Sequence, residues 1–390
     1  MLNQSIISFA FLTLSKNKSK NISTFFIFFA IVFLISSVLF LSNSIEKEIT
    51  KSIKNEPQLK ITNHQYGNFA PIDDFLQNKI SNIKGINSII GQIQGDYYFE
   101  PTKSYLKIFG IDFFTPNANQ KVNEFLQQNI SKSNQNIVFA SEQMRKKLAA
   151  IGYKNEITIF LYDGESLQLK LETFDAKHLG LNFSDVLLVQ NDTARELLGL
   201  ESFQWSYFFA DIPNEIETNN IALQIRVDFP FAILNSTDQR ISQISKEMNQ
   251  KSSIFLSMFL VAILSFVILL YQKTMFSFQH EKKEIGILRA IGWKISDVIA
   301  FKMIQNIFIA IFAFFSALVC AYLYIFLFDA PLIAQIFFIQ NSELFIQNLS
   351  PNIDISQIAI LFFVTVLPFM ASVLLPVWRL SITEPTEVMK

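Results

Sequence analysis

Cysteine, histidine and glycine are scarce in this chain: one, three and eleven among 390 residues. The single Cys320 excludes an intramolecular disulfide, and its place inside an apolar run reads as a small buried residue rather than a reactive thiol. His64, His178 and His280 stand apart from any metal-ligand spacing, so each reads as an ordinary surface or core histidine. None of the eleven glycines is followed by Lys. That removes the phosphate-binding loop of the Gly-Lys-Ser/Thr type, and with it ATP hydrolysis by this chain alone. No Gly-x-Ser-x-Gly elbow occurs. The adjacent carboxylates Asp73 and Asp74 suit the cap of a helix before Phe75 better than paired acid-base work. An excess of one charge is missing too: 32 Lys and Arg against 33 Asp and Glu, net -1, leave no basic field for nucleic acid.

What is abundant is apolar. With 51% hydrophobic and 17% charged residues the chain is too apolar for an ordinary soluble enzyme, and the excess is concentrated in four runs. The many Phe, Ile, Asn and Lys residues read as compositional bias, so Phe clusters are not read as sites. Phe25 to Leu41, Ile254 to Tyr271, Ile304 to Phe328 and Ile358 to Val377 can each span a bilayer, whose core takes about twenty apolar residues. A cleaved signal ending near Ser42-Asn43-Ser44 is the alternative for the first run. Its length, and the position of Lys16, Lys18 and Lys20 well inside the chain, favour a transmembrane helix. Leu2 to Leu14 reads either as an amphipathic elbow along the interface or as a disordered tail. Pro368 should kink the fourth run for packing, with a hydroxyl such as Thr365 able to compensate the lost bond. No Asp, Glu, Lys or Arg interrupts the runs, which disfavours an ion-coupled transporter.

Basic residues set the orientation. Lys16, Lys18 and Lys20 precede the first run; Lys273, Lys282, Lys283, Arg289, Lys294 and Lys302 lie between the second and third; Arg379 follows the fourth. Asp329 to Asp354, between the third and fourth, has no Lys or Arg. The positive-inside rule therefore puts both termini and the 272–303 loop in the cytosol, and the long segment after the first run outside.

That outer segment is an α+β domain. Short β-rich runs such as Gln58 to Ile61, Ile89 to Tyr98, Tyr105 to Ile111, Glu156 to Leu161, Leu167 to Glu172 and Trp205 to Asp211 alternate with helical stretches at Glu142 to Ala150 and Thr193 to Leu198. Asp163-Gly164 signals a hairpin. Asn136 to Ser141 with a helix closing at Gly152, and Asp185 to Gln190 with a helix closing at Gly199, repeat a strand, polar cap and helix; duplication and chance recurrence both remain open. Ile45, Ile49 and Ile53 on one flank, and Ile241, Ile244 and Met248 on the other, form helical stripes. They read as two helices leaving the membrane side by side as a stalk, or as two amphipathic helices packed separately on the domain.

The most specific stretch runs from His280 to Gly292, between the second and third apolar runs. Its charged start, the spacing of Ile285, Leu288 and Ile291, and the glycine stop predict a short amphipathic helix at the membrane face that ends at Gly292. A helix lying on lipid headgroups is the alternative. Glu284-Ile-Gly-Ile-Leu-Arg-Ala-Ile-Gly292 resembles the cytosolic loop motif of FtsX-like permeases, the membrane subunits of ABC transporters that include the MacB, LolC, LolE and DevC types. The order of spans around one large outer domain is similar to that family, as is the tail Glu384-Pro385-Thr386-Glu387-Val388-Met389. Gly110-Ile111-Asp112 is a looser likeness.

The resemblance implies a coupling helix docking on a separate ABC ATPase subunit, with Glu284 and Arg289 as polar contacts, Ile285, Leu288 and Ile291 as the apolar side, and Gly286 and Gly292 within the motif. It implies no cofactor in this chain, ATP being bound by the partner ATPase, and a second permease copy or paralogue. The implied location is the bacterial inner membrane. The expected layout is a cytosolic elbow over 1–24, transmembrane helices over 25–41, 254–271, 304–328 and 358–377, and the outer domain with its stalk helices over 42–253. A cytosolic loop with the coupling helix over 272–303, a short outer loop over 329–357 and a cytosolic tail over 378–390 complete it. The implied function is mechanical efflux or lipoprotein and lipid release, with membrane lipid and a periplasmic adaptor or carrier as further partners. The alternative is a signalling scaffold that regulates a cell-wall hydrolase.

Overall fold

The computed structural model describes residues 4–16, 18–133, 136–161, 164–175, 179, 186–276, 286–328, 330, 333 and 349–382. In chain order the helices are α1 (Gln4–Lys16), α2 (Lys18–Lys54), α3 (Asp74–Ser81), α4 (Gln120–Gln128), α5 (Glu142–Ala150), α6 (Asn191–Leu198), α7 (Thr218–Asp228), α8 (Thr237–Phe276), α9 (Ile295–Phe326) and α10 (Ile355–Ile382). The strands are β1 (Leu59–Gln65), β2 (Asn68–Ala70), β3 (Ile72–Asp73), β4 (Ser88–Gln92), β5 (Gln94–Phe99), β6 (Ser104–Ile111), β7 (Ile137–Ser141), β8 (Glu156–Phe160), β9 (Ser166–Phe174), β10 (Val186–Gln190), β11 (Gln204–Trp205), β12 (Tyr207–Asp211) and β13 (Ala232–Ser236). Four helices are long and apolar enough to cross a membrane, within Asn21–Lys54, Thr237–Phe276, Ile295–Phe326 and Ile355–Arg379, with the α+β region between the first and second. The chain divides into two compact units. One comprises Met1–Ser44, Asn249–Ile333 and Pro351–Lys390, the other Ile45–Met248 and Ala334–Ser350.

The α+β unit holds two main sheets. The six-stranded sheet runs β5-β6-β10-β7-β9-β8. Its pairing reads the same from either edge: an antiparallel hairpin, a parallel step, a central antiparallel pair β10/β7, a parallel step and a second hairpin. The two strand-cap-helix pieces seen in the sequence lie on either side of that centre. Their helices α5 and α6 are followed by Gly152 and Gly199, both at positive φ. Both faces of the sheet are buried: Val138, Ala140, Leu187 and Val189 pack with α5 and α6, while Ile137, Phe139, Val186 and Leu188 pack with α4. Two-sided burial explains why Val186-Leu-Leu-Val189 is apolar without alternation. Across the sheet's edges, Tyr97 Oη on β5 donates to Phe160 O on β8 at 2.9 Å and accepts from Phe160 N at 3.0 Å, so the sheet curls until its two edge strands meet.

The five-stranded sheet has the order β13-β1-β12-β4, with β2 folded back on β1 through Tyr66 and Gly67. One face, with Leu59, Ile61, Phe208, Ala210 and Leu234, packs under α3 and α7. The single strand expected over Ile89 to Tyr98 is two strands in two different sheets, broken at Ile93. Ser206 fixes the break, its N–H donating to Gln92 O at 3.0 Å and its Oγ accepting from Gln94 N at 2.9 Å. Ser206 in turn separates β11 from β12, splitting the strand read over Trp205 to Asp211. Gly164, at φ +90°, lies in the β8/β9 hairpin, while Asp163 lies outside the described residues. Asp73 is the residue before α3, as a cap would be, but its side chain accepts from Gln204 Nε2 and not from the helix. Asp74 accepts from Trp205 Nε1 at 3.1 Å.

In the helical unit, Phe28, Val32 and Ile35 of α2, Ile263, Phe266 and Leu270 of α8, Ala310, Ala313, Phe314 and Ala317 of α9, and Leu361, Val366 and Phe369 of α10 form one core. The fully buried alanines 310, 313, 317 and 321 make a small-residue seam on α9, which packs extensively along α10. Cys320, expected to be buried, is exposed on α9. A face turned to lipid is as apolar as a core, so the sequence does not separate the two. Thr365 spends its hydroxyl on Leu361 O at 2.7 Å, so the Val364 carbonyl that Pro368 leaves without a donor is not served by it. Ser42 and Ser252 join α2 to α8 by a 2.6 Å hydroxyl bond, and Asn43 Nδ2 donates to Gln357 Oε1 of α10 at 2.6 Å.

Candidate functional site

The described part of the stretch from His280 to Gly292 is a single helical turn over 286–290 followed by a tight stop. Gly292 adopts φ +103°, its N–H reaching Arg289 O at 3.0 Å, and Trp293 N–H reaches Leu288 O at 3.1 Å. This pair of reversed bonds satisfies carbonyls the helix end would otherwise leave open, and only glycine takes the required φ without strain. Immediately afterwards Asp297 accepts from the Lys294 N–H at 3.0 Å and starts α9. The helical turn over 286–290 and α9 are thus separated by four residues.

Gly286, Leu288 and Arg289 are half-buried and Gly292 is exposed; Glu284 and Ile285 lie outside the described residues, as do the tail residues Glu384 to Met389. Of the expected stripe of Ile285, Leu288 and Ile291, the two described residues differ in exposure: Leu288 is half-buried, whereas Ile291 is 73% exposed and its neighbour Ile287 60%. The reason is the stop itself, which carries Ile291 out of the helical turn. Ile287 was not singled out by the spacing, although an apolar residue beside Gly286 was visible there.

On the α+β unit, Ile45, Ile49, Ile53 and Met248 are buried and Ile241 and Ile244 half-buried. Where β1 begins, the two flanking helices are held by polar atoms that the spacing of apolar residues did not reveal. Arg240 Nη1 pairs with Glu56 Oε2 at 2.6 Å and Nη2 donates to Pro57 O at 2.9 Å, with the side chains only 10% and 18% exposed. Thr237 N–H donates to Gln58 O at 2.8 Å, and Gln58 Oε1 accepts from Ile212 N at 2.9 Å. The cluster rests on the second face of the five-stranded sheet. Lys60 Nζ lies 3.8 Å over the Tyr207 ring, and the Arg240 guanidinium lies 5.2 Å over Phe209. Burial pushes the Glu56 carboxyl above its ordinary range, although Arg240 and Lys60 both oppose the shift. Burial also pushes the Lys60 ammonium down, with Glu56 opposing, and the Tyr207 phenol up.

No group of His, Cys, Asp and Glu among the described residues is placed to hold a metal ion. Of the two places, one presents the exposed side chains of Ile287 and Ile291 beside a glycine stop, and the other holds two helix ends against a sheet.

Among solved structures, the chain is similar to the periplasmic region of MacB from Actinobacillus actinomycetemcomitans, with 12% identity, 50% of this chain and 96% of that one covered, and a TM-score of 0.30. It is also similar to the extracellular domain of the noncanonic ABC-type transporter YknZ from Gram-positive bacteria, with 10% identity, 45% and 98% covered, and a TM-score of 0.28. No curated protein matches it. Residues 255–385 match the family described as FtsX-like permease C-terminal, a segment that takes in residues 286–292, α9 and α10. The likeness to FtsX-like permeases therefore lies in this C-terminal part of the chain.

Proposed function

We propose that the chain is the membrane subunit of an ABC transporter that passes the motion of a separate ATPase to an outer domain, acting mechanically on substrates outside the inner membrane or in its outer leaflet. The observation that carries this reading is the place of the docking stretch. It lies inside the FtsX-like segment, between two apolar helices, with Ile287 and Ile291 exposed beside the glycine stop. Glu284 and Arg289 would make its polar contacts, and Leu288 with its apolar neighbours would fill a groove on the ATPase. The ATPase binds and hydrolyses ATP; this chain holds no nucleotide itself. A second permease copy or paralogue completes the pair of docking helices, and an adaptor or carrier outside takes over the substrate.

Two features support transmission through the helices. Neither α2, 37 residues long, nor α8, 40 residues long, contains a Gly or Pro, so neither has the usual cause of a kink. The Glu56–Arg240 cluster holds their domain ends to one sheet. In this reading residues 25–41, 254–271, 304–328 and 358–377 span the inner membrane, both termini are cytosolic, and the Ile45–Ile53 and Ile241–Met248 segments are the stalk.

Affinity capture of the full chain from membranes tests the proposal. Recovery of an ABC ATPase, lost in Glu284→Ala/Leu288→Ala while the outer domain stays folded, is the expected result. Equal ATPase recovery with the double variant refutes the docking assignment, and recovery of a murein hydrolase without transport activity refutes the transport role.

A further inference from the structure

The docking turn ends on a residue that another helix grips. Trp293, whose N–H closes the Gly292 stop, packs with Ile304 against a cluster of Ile6, Ala10 and Phe301. Phe9 stands edge-on to Trp293 at 5.7 Å between centroids and 5.1 Å from Phe301, and Trp293 meets Phe301 edge-on at 6.0 Å. Two residues further along α1, Phe11 meets Phe308 of α9 at 4.5 Å. Ile6, Phe9 and Ala10 occupy the i, i+3, i+4 positions of a helical face. α1 is therefore packed along the start of α9 by a three-ring clasp, centred on the residue that terminates the docking turn.

α1 is also joined to the helix that follows it. It ends at Lys16, α2 begins at Lys18, and Asn21 Nδ2 of α2 donates to Leu14 O of α1 at 3.2 Å. α2 then runs to Lys54, two residues before Glu56 of the polar cluster. We infer that α1 is a positioning element for the docking turn, with Phe9 and Trp293 as positioning residues, and that it gives the turn a direct route into α2 that does not pass through α9. The inference rests on the docking reading of 286–292. Physically, Gly292 leaves the turn free to swing about one residue, and the rings behind it remove that freedom. Aromatic edge contacts of this kind bias an equilibrium by roughly three- to tenfold beyond their area.

The experiment uses the full chain in lipid nanodiscs with Cys320→Ser and a nitroxide on Ile287→Cys, which is exposed. Phe9→Ala should raise the mobile fraction of the nitroxide spectrum several-fold and lower ATPase retention, and Phe9→Trp should restore both. Leu12→Ala, on the same helix with an exposed side chain, should change neither. Trp293→Leu repeats the test from the other side of the clasp, and a spontaneous disulfide between Phe9→Cys and Trp293→Cys confirms the contact where a variant folds poorly. An unchanged spectrum in Phe9→Ala, or equal loosening in Leu12→Ala, overturns the inference. The docking reading is judged separately, by ATPase retention in Leu288→Ala; its failure leaves the nitroxide result to decide the clasp.

Discussion

Arg240→Met removes the cation beside a buried carboxylate, and the cost depends on pH in a way that packing alone would not produce. With side chains 18% and 10% exposed and a 2.6 Å contact, the Glu56–Arg240 pair is largely out of water. Losing one partner of such a pair costs about 3–5 kcal/mol if the other stays charged. Glu56 has an escape, because it can take a proton. From an ordinary value of about 4.3, protonation at pH 7 costs at most about 3.7 kcal/mol at roughly 1.4 kcal/mol per unit, and only about 1 kcal/mol at pH 5. The sign follows from burial, which already raises the Glu56 value in the folded chain. The destabilisation is absent below the unfolded value and grows as pH rises through the folded one. Removing Arg240 raises the folded value further, so the difference from wild type is largest at pH 7 and fades towards pH 5. The lost bond to Pro57 O adds about 1 kcal/mol at both pH values. Thermal unfolding of the α+β unit and amide exchange at residues 57–62, both on the full chain in nanodiscs, read the effect. Arg240→Met/Glu56→Gln should recover most of the pH 7 loss. A loss equal at pH 7 and pH 5, or no recovery in the double variant, refutes the reasoning.

Gly110→Ala places a Cβ 2.4 Å from Asn191 Oδ1 and 2.9 Å from Ile93 Cβ near the end of β6, so it should lower the stability of the α+β unit by about 1–3 kcal/mol, read as a fall in Tm. Lys132 hydrogen-bonds the Glu172 carboxylate and holds it below the usual range. Its stabilising effect is present above about pH 4.3 and is lost as pH falls through the lowered value, so Glu172→Gln should flatten the acid limb of the stability profile. Ser42→Cys with Ser252→Cys, in Cys320→Ser, should form a disulfide and keep ATPase-coupled activity; loss of that activity, restored by reductant, would show that the two helices must slide.

Residue patterns carried the layout further than they carried the joints. The glycine stops at Gly152, Gly199 and Gly292 were legible because each needs positive φ at the end of an amphipathic turn. The buried strand Val186–Gln190 was legible from its unbroken apolar run. The break at Ile93 was not, because Ile89 to Tyr98 has no Pro and its two Gly residues lie elsewhere. The turn there is imposed by Ser206, which is distant in sequence. Glu56 and Arg240 were invisible as a pair for the same reason, being far apart in sequence. The α1 clasp was half legible. An amphipathic elbow could be read from Leu2 to Leu14, but nothing in the spacing of Phe9 says that its neighbour is Trp293 rather than lipid.

The polar ties on α2 and α8 constrain how those helices can move. Ser42 meets Ser252, and Glu56 meets Arg240. Along α8 the tied residues are separated by twelve positions and along α2 by fourteen, the last two of which lie past the helix end at Lys54. At 1.5 Å per residue the helical stretches between ties are therefore nearly equal, about 18 Å each. Sliding one helix by a turn past the other would break a 2.6 Å hydroxyl contact and expose a buried carboxylate at the same time. Tilting or translating both together breaks neither. Two helices pinned to each other at two points resist sliding past one another, so the motion proposed for the stalk is a joint displacement. The uneven chemistry of the pins fits that role: a small hydroxyl pair permits close approach of the helices, and an ion pair sits where β12 supplies the rings of Tyr207 and Phe209 beside it.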